Sequence, residues 1–174
     1  MINLYLDFDG VIKDTINVSY RMMDDLGIDL RDRKSVVDFY MDTNWNELLA
    51  SSDEIGDAFR YIDRIYEEGL FRPAILTTVN SLAEMIAKTN YIRSMNEDIS
   101  IICVPRGIEK CQIVNPSGSI LVDDYSGNLS SWERAGGIGI KFGFDDDYIS
   151  INSLHFFVNG ENKIRKRAQK LFDL

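Results

Sequence analysis

Apolar and polar positions along the chain fall into two rhythms. The first residues carry a short apolar run, Leu4-Tyr5-Leu6, that reads as a buried strand. From 13 to 71 the apolar positions recur at helical spacing and no strand pattern is present. Ile16, Tyr20 and Met23 mark one helix, with Gly27 as its stop, and Val36, Val37, Tyr40 and Met41 mark a second. Asn44 with Glu47 forms a capping pair that opens a third around Leu48 and Leu49. Asp53 is placed to cap a fourth, with Ile55, Phe59, Ile62 and Ile65 on one face and Gly69 beyond its end.

From Arg72 the rhythm changes to strand, helix, strand. Ala74 to Thr77 is a strand, and Ser81-Leu-Ala-Glu84 is a capping box that opens a helix running toward Thr89. Ile99 to Val104 is a β-branched strand, and Ile108 to Val114 a short helical turn. Ser119 to Val122 is a strand that ends in Asp123-Asp124, Leu129 to Ala135 a helix, and Gly137 to Phe142 the closing strand. Strands alternating with helices predict right-handed crossovers and a three-layer α/β fold. Its sheet is mainly parallel and has five strands, counting Leu4–Leu6. The expected organisation is one Rossmann-like core made of 1–12 and 72–174, interrupted by a small helical insertion at 13–71. Ligands of such sheets bind beyond the carboxyl ends of the strands.

With 174 residues, 45% hydrophobic and 27% charged, the composition is that of an ordinary globular chain with one sizeable core. The N-terminus has no basic leader followed by a long apolar run, and nothing later approaches a membrane span, which predicts a soluble, cytoplasmic protein. Cys103 and Cys111 lie near no other Cys or His in the sequence, so neither a disulfide framework nor a zinc site is expected. His155, the only histidine, is flanked by apolar residues and reads as a packed or surface side chain. The net charge of −9 has the wrong sign for a general nucleic-acid binder. A basic cluster, Lys163, Arg165, Lys166, Arg167 and Lys170, reads as a solvated helix face.

The candidate chemistry sits at strand ends. Asp7 and Asp9 follow the first strand two residues apart, and Gly10 lets the backbone turn away. Two carboxylates at the tip of a buried strand repel each other and lose hydration, which a cation or a reaction justifies. Thr77 ends the second strand, Lys110 opens the turn after the third, and Asp123 with Asp124 ends the fourth. Each has an innocent reading alone. In this order they supply the groups needed for phosphoryl transfer through an aspartyl-phosphate. Asp7 is the expected nucleophile and a metal ligand. Asp9 is the acid that protonates the leaving group and then the base that activates water. Thr77 Oγ and the N–H groups just after it are expected to hold the phosphoryl oxygens, with Thr78 and Gly10 among the substrate-binding residues, and Lys110 to balance charge. Asp124 is the expected direct metal ligand of the pair, with Asp123 bound directly or through water. Four carboxylates against one lysine argue for Mg²⁺.

On the residues Asp7-Phe-Asp-Gly10, Ile75-Leu-Thr77, Lys110 and Ile120-Leu-Val-Asp-Asp124, the sequence resembles the haloacid dehalogenase-like phosphohydrolase superfamily. The insertion sits where that superfamily places its small C1 cap. The stretch Ile75-Leu-Thr77 and the run Ile120 to Trp132 followed by Gly136-Gly137 look most like the 5'(3')-deoxyribonucleotidase branch. The resemblance implies a Mg²⁺-dependent phosphatase of a small phosphomonoester, with the Asp9 carbonyl as a further metal ligand. It also implies that the insertion acts as a lid touching the leaving group. Phe39, Tyr40 and Trp45 are the aromatic candidates for stacking on a base, with Trp45 the first choice. A phosphatase for sugar phosphates or phosphoglycolate is the enzymatic alternative, and a phospho-receiver-like or binding module the alternative of another class. The expected partner is a small phosphorylated molecule, and a homodimer stays open.

Overall fold

Strand β1 (Ile2–Leu6) buries Ile2, Leu4 and Leu6 on one face and half-buries Tyr5 on the other, as suits an interior strand of a covered sheet. In the computed structural model, which describes residues 1–158, six strands pair in the order β3-β2-β1-β4-β5-β6. They are β2 (Phe71–Val79), β3 (Ser100–Pro105), β4 (Ser119–Asp123), β5 (Ile138–Phe142) and β6 (Ile149–Ile151), and every pairing is parallel. The expected sheet had five strands. The sixth, β6, is only three residues long, too short for period-two alternation to register, and its pairing with Ile140 to Phe142 completes that edge.

Side chains alternate across the sheet and build two cores. Leu4, Leu6, Ile75, Ile120 and Val122 join Phe59, Ile62 and Ile65 of helix α4 (Ala58–Glu67) and Ile92 of helix α5 (Leu82–Met95). A short 3-10 helix, Leu154–Phe157, covers the same face, with the Phe157 ring 5.4 Å from that of Phe71. On the other face Leu76, Val104 and Leu121 pack with Leu129 and Trp132 of helix α7 (Ser126–Arg134), beside the short helix α6 (Lys110–Ile113). The Trp132 ring meets Tyr5 edge-on at 5.4 Å, an arrangement aromatic quadrupoles favour.

Between β1 and β2 come α1 (Thr15–Asp25), α2 (Arg33–Asp42), α3 (Trp45–Ser51) and α4. Helix α2 has no buried residue, whereas α4 is buried along Ala58, Phe59, Ile62 and Ile65 and rests on β2. The cap of α4 is Asp57, held in the left-handed region at φ 55°, and not Asp53, whose carbonyl instead accepts the Asp14 N–H at 2.9 Å. Ser81 caps α5 as expected, accepting the Glu84 N–H at 3.1 Å. The reciprocal half of that capping box is missing. The Glu84 carboxylate turns to the Asn80 N–H at 2.7 Å and to Lys88. His155 is exposed, its ring 5.5 Å from Tyr61. The basic cluster between Lys163 and Lys170 lies outside the described residues.

Candidate active site

The chain leaves β1 toward β2 on one side, and β4 flanks β1 on the other, so the crevice beyond β1 is the topological switch point of the sheet. Asp7 is the first residue past β1 and stays tied to β4, its N–H donating to the Val122 carbonyl at 2.9 Å. Its carboxylate meets the Lys110 ammonium at 2.8 Å, and that ammonium reaches Asp123 Oδ2 at 2.6 Å. Lys110 and Asp123 are fully buried. Asp123 also accepts the Tyr125 N–H on Oδ1 and the Asn128 side-chain amide on Oδ2, each at 2.9 Å. Burial pushes the Asp7 carboxyl up to about 8; Lys110 opposes the shift, and Asp123, Asp9 and Asp124 add to it. Burial, followed by Asp123 and Asp9, raises Asp124 to about 6. Burial pulls the Lys110 ammonium down, but Asp7 and Asp123 outweigh it and keep its pKa above the ordinary lysine value.

Asp9 has a lysine of its own. Its Oδ2 is paired with the Nζ of Lys88, a fully buried residue of α5, and its Oδ1 accepts the Thr15 hydroxyl at 2.6 Å. Lys88 also holds Glu84 Oε1 at 2.6 Å and the Thr78 carbonyl at 3.1 Å, and its Nζ lies 4.9 Å from the centre of the Trp45 ring. The site therefore contains two buried lysines, where the sequence argument counted one.

A cleft of about 350 Å³ opens over these groups, lined by Asp7, Asp9, Thr78, Asn80, Arg106 and Asp124 among others. Its wall carries Thr78, while Thr77 is fully buried behind it, its Oγ 3.4 Å from the Lys88 ammonium. Trp45 reaches the cleft only by an edge. It is 4% exposed, stacks at 21° on Tyr40 and donates its indole N–H to the Tyr40 carbonyl at 3.1 Å. Tyr40 is half-buried, its hydroxyl 2.9 Å from that of Ser19, and Phe39 packs edge-on against Tyr40. A larger depression, about 660 Å³, lies near the opposite ends of β2 and β3 around Asp63, Glu67, Arg72 and Asp98, away from the clustered carboxylates and lysines.

Gly10 sets the shape of the floor. It turns the chain at φ +73°, and a Cβ there would come within 2.7 Å of Asp124 Cγ. A Gly10→Ala variant should strain the turn and displace Asp124 together. We expect roughly 1 kcal/mol or more of lost stability in urea titration and a loss of turnover out of proportion to it.

No family model matches the sequence, and no curated protein matches it. The fold is matched among solved structures. A haloacid dehalogenase-superfamily hydrolase from Ehrlichia chaffeensis aligns over 97% of this chain and 96% of its own, with a TM-score of 0.57 and 17% identity. The D,D-heptose 1,7-bisphosphate phosphatase from Burkholderia thailandensis aligns over 100% of both chains, with a TM-score of 0.54 and 13% identity. CbbY from Rhodobacter sphaeroides, in complex with phosphate, also aligns over 100% of both, at 0.56 and 17%. The chain has the haloacid dehalogenase-like fold.

In this haloacid dehalogenase-like fold the donor set fits a hard divalent cation. One carboxylate oxygen from each of Asp7, Asp123 and Asp124 lies within 4.8 Å of the others. Burial first, and then the neighbouring carboxylates, raise the carboxyls of Asp7 and Asp124, and a cation held between them would offset both effects. Of the site residues read from the sequence, Asp7, Asp9, Gly10, Thr78, Lys110, Asp123 and Asp124 come together at the cleft floor. Lys88, Glu84 and Thr15 were missed. Glu84 and Lys88 stand four apart on a helix, which from sequence reads as an ordinary surface pair. The available signal was the apolar pattern of α5, which shows no clean stripe to compete with them.

Proposed function

We propose that the protein is a Mg²⁺-dependent phosphatase that hydrolyses a small phosphomonoester through a phosphoryl group carried on Asp7. The observation that supports this most is the pairing of each carboxylate with a separate buried lysine, Asp7 with Lys110 and Asp9 with Lys88, on the floor of one cleft. Two acids one residue removed from each other are thereby given different surroundings, the arrangement that lets one attack and the other move a proton.

In this reading Asp7, Asp123 and Asp124 hold the cation, together with the Asp9 carbonyl. When bound, the cation supplies relief of the repulsion between carboxylate and phosphate dianion. Asp7 attacks phosphorus while Asp9 protonates the departing alkoxide, and Asp9 then takes a proton from the water that cleaves the acyl phosphate. The Thr78 hydroxyl, facing the cleft, and the backbone N–H groups leading into α5 hold the phosphoryl oxygens, with Thr77 as the support behind them. Lys110 offsets charge on the nucleophile and on the phosphoryl group. The insertion 13–71 acts as the lid, with α1 to α3 closest to the leaving group and α4 as its anchor on β2.

The burial of Trp45 against Tyr40 favours the sugar-phosphate or phosphoglycolate reading over the deoxyribonucleotide one, because the stacked ring presents no open face to a base. Asn80 and Arg106 also line the cleft, groups suited to hydroxyls and a carboxylate. The nucleotidase reading would rely on Tyr125, whose ring is exposed at the cleft. Phosphate release across nucleoside monophosphates, sugar phosphates and phosphoglycolate, with Mg²⁺ and with chelator, tests both levels. We expect release that chelator abolishes, with small hydroxylated or acidic esters preferred. Preference for a deoxyribonucleoside monophosphate would restore the nucleotidase reading, and inertness of every ester would remove the phosphatase one.

A further inference from the structure

Lys88 has no task in the scheme above. Its ammonium carries three N–H donors and no acceptor, and the three nearest oxygens match them: Asp9 Oδ2, Glu84 Oε1 and the Thr78 carbonyl, with Thr77 Oγ farther off at 3.4 Å. Glu84 is in turn fixed by the Asn80 N–H at 2.7 Å and the Asn80 side-chain amide at 2.9 Å. The rings of Trp45 and Phe8 lie 4.9 and 5.7 Å from the ammonium, closing it off from water. Its charge is balanced in place by two carboxylates, Asp9 and Glu84, each in direct contact with the ammonium. A side chain so fully engaged cannot swing, and neither can the carboxylate oxygen it grips.

The other oxygen of Asp9 is different in kind. Oδ1 accepts the Thr15 hydroxyl at 2.6 Å, and a hydroxyl rotates to donate or to accept as its partner requires. We propose that Lys88 is a positioning residue for Asp9: it occupies Oδ2 with a donor-only cation and so reserves Oδ1, the oxygen shared with Thr15, for proton transfer. This rests on the phosphatase reading and assigns the proton to one atom within it. In the first half, an Asp7 oxygen bonds to phosphorus as the bond to the leaving oxygen breaks, and that oxygen takes the proton from Asp9 Oδ1. In the second, water oxygen bonds to phosphorus, its proton passes to Asp9 Oδ1, and the bond to Asp7 breaks. Lys88 keeps all its protons throughout.

The inference separates esters by their need for an acid. p-Nitrophenolate leaves unaided, whereas the alkoxide of glycerol 2-phosphate must be protonated as it departs. The variant is the double substitution Lys88→Met with Glu84→Gln, which avoids stranding a buried carboxylate, compared with wild type by kcat/KM under saturating Mg²⁺. That ratio covers only the steps up to leaving-group departure. We expect roughly a hundredfold loss on glycerol 2-phosphate, within the range of general acid catalysis, and less than about tenfold on p-nitrophenyl phosphate. Lys88→Arg, which keeps the cation, should recover part of the difference. Equal losses on the two esters, with an active wild type, would overturn the role of Lys88 and leave the phosphatase reading intact. A wild type that hydrolyses neither ester would overturn both.

Discussion

Replacing Asp7 by Asn should abolish turnover and at the same time make the protein more stable. The loss of activity follows from removal of the attacking oxygen, and in a unit of cooperating groups such a loss is at least about 10⁴-fold. The gain in stability follows from linkage. In the folded protein Asp7 titrates at about 8, against 3.8 for the ordinary carboxyl. The folded state therefore binds this proton more tightly than the unfolded state does. Its stabilising contribution is complete below about pH 4 and is lost as the pH rises through 8. Asparagine has no charge to strand. In chelator at pH 8 the variant should exceed wild type by on the order of a few kcal/mol, a rise in Tm of roughly 5–15 °C for a chain of this size. The two should converge toward pH 4, and added Mg²⁺ should close the gap at pH 8 by stabilising wild type more. Thermal melts at the two pH values check this; a variant less stable than wild type at pH 8 would show that the Asp7 carboxylate is not destabilised by its surroundings.

Lys110→Met should do the opposite to stability. The ammonium is shared by Asp7 and Asp123 at 2.8 and 2.6 Å and is buried, so its loss leaves two carboxylates facing each other without their cation. Breaking a buried pair from one side costs about 3–5 kcal/mol, a fall in Tm of roughly 6–20 °C. Turnover should drop by about 10²–10³-fold, the effect of deleting one charge-stabilising group at a reacting centre. Asn128 and the Tyr125 N–H still hold Asp123 in place, so the fold should survive at low temperature. An unchanged melting curve would mean that Lys110 is not the counter-ion the two carboxylates depend on.

The sequence made the parts of the site on strand ends legible, because strand ends are where a short apolar run meets polar residues. Asp7, Asp9, Thr77, Lys110 and the Asp123-Asp124 pair all announce themselves at or just past a strand end, and the parallel sheet carries them to one edge; β2 runs on to Val79, so Thr78 lines the cleft and Thr77 is buried. The parts on helices stayed hidden. Helix α5 buries Glu84 and Lys88 while leaving Leu82 and Ile86 more than half exposed, an inversion that hydrophobic periodicity reads backwards. Thr15 belongs to no motif in the sequence, and the turn after Gly10 brings its hydroxyl to Asp9. Trp45 erred the other way. Its polar neighbours Asp42, Thr43 and Asn44 suggested an exposed ring, yet α3 folds it inward over Lys88.

The central claim is that phosphate passes through Asp7. The most direct measurement is to quench the protein during turnover with Mg²⁺, reduce it with borohydride, and sequence the peptide Met1–Lys13 by mass spectrometry. An acyl phosphate is reduced to the alcohol, so the account predicts homoserine at position 7 and unmodified aspartate at position 9, in amounts that fall to zero in chelator. Sustained phosphate release with position 7 unmodified, or with the label at position 9, would contradict it.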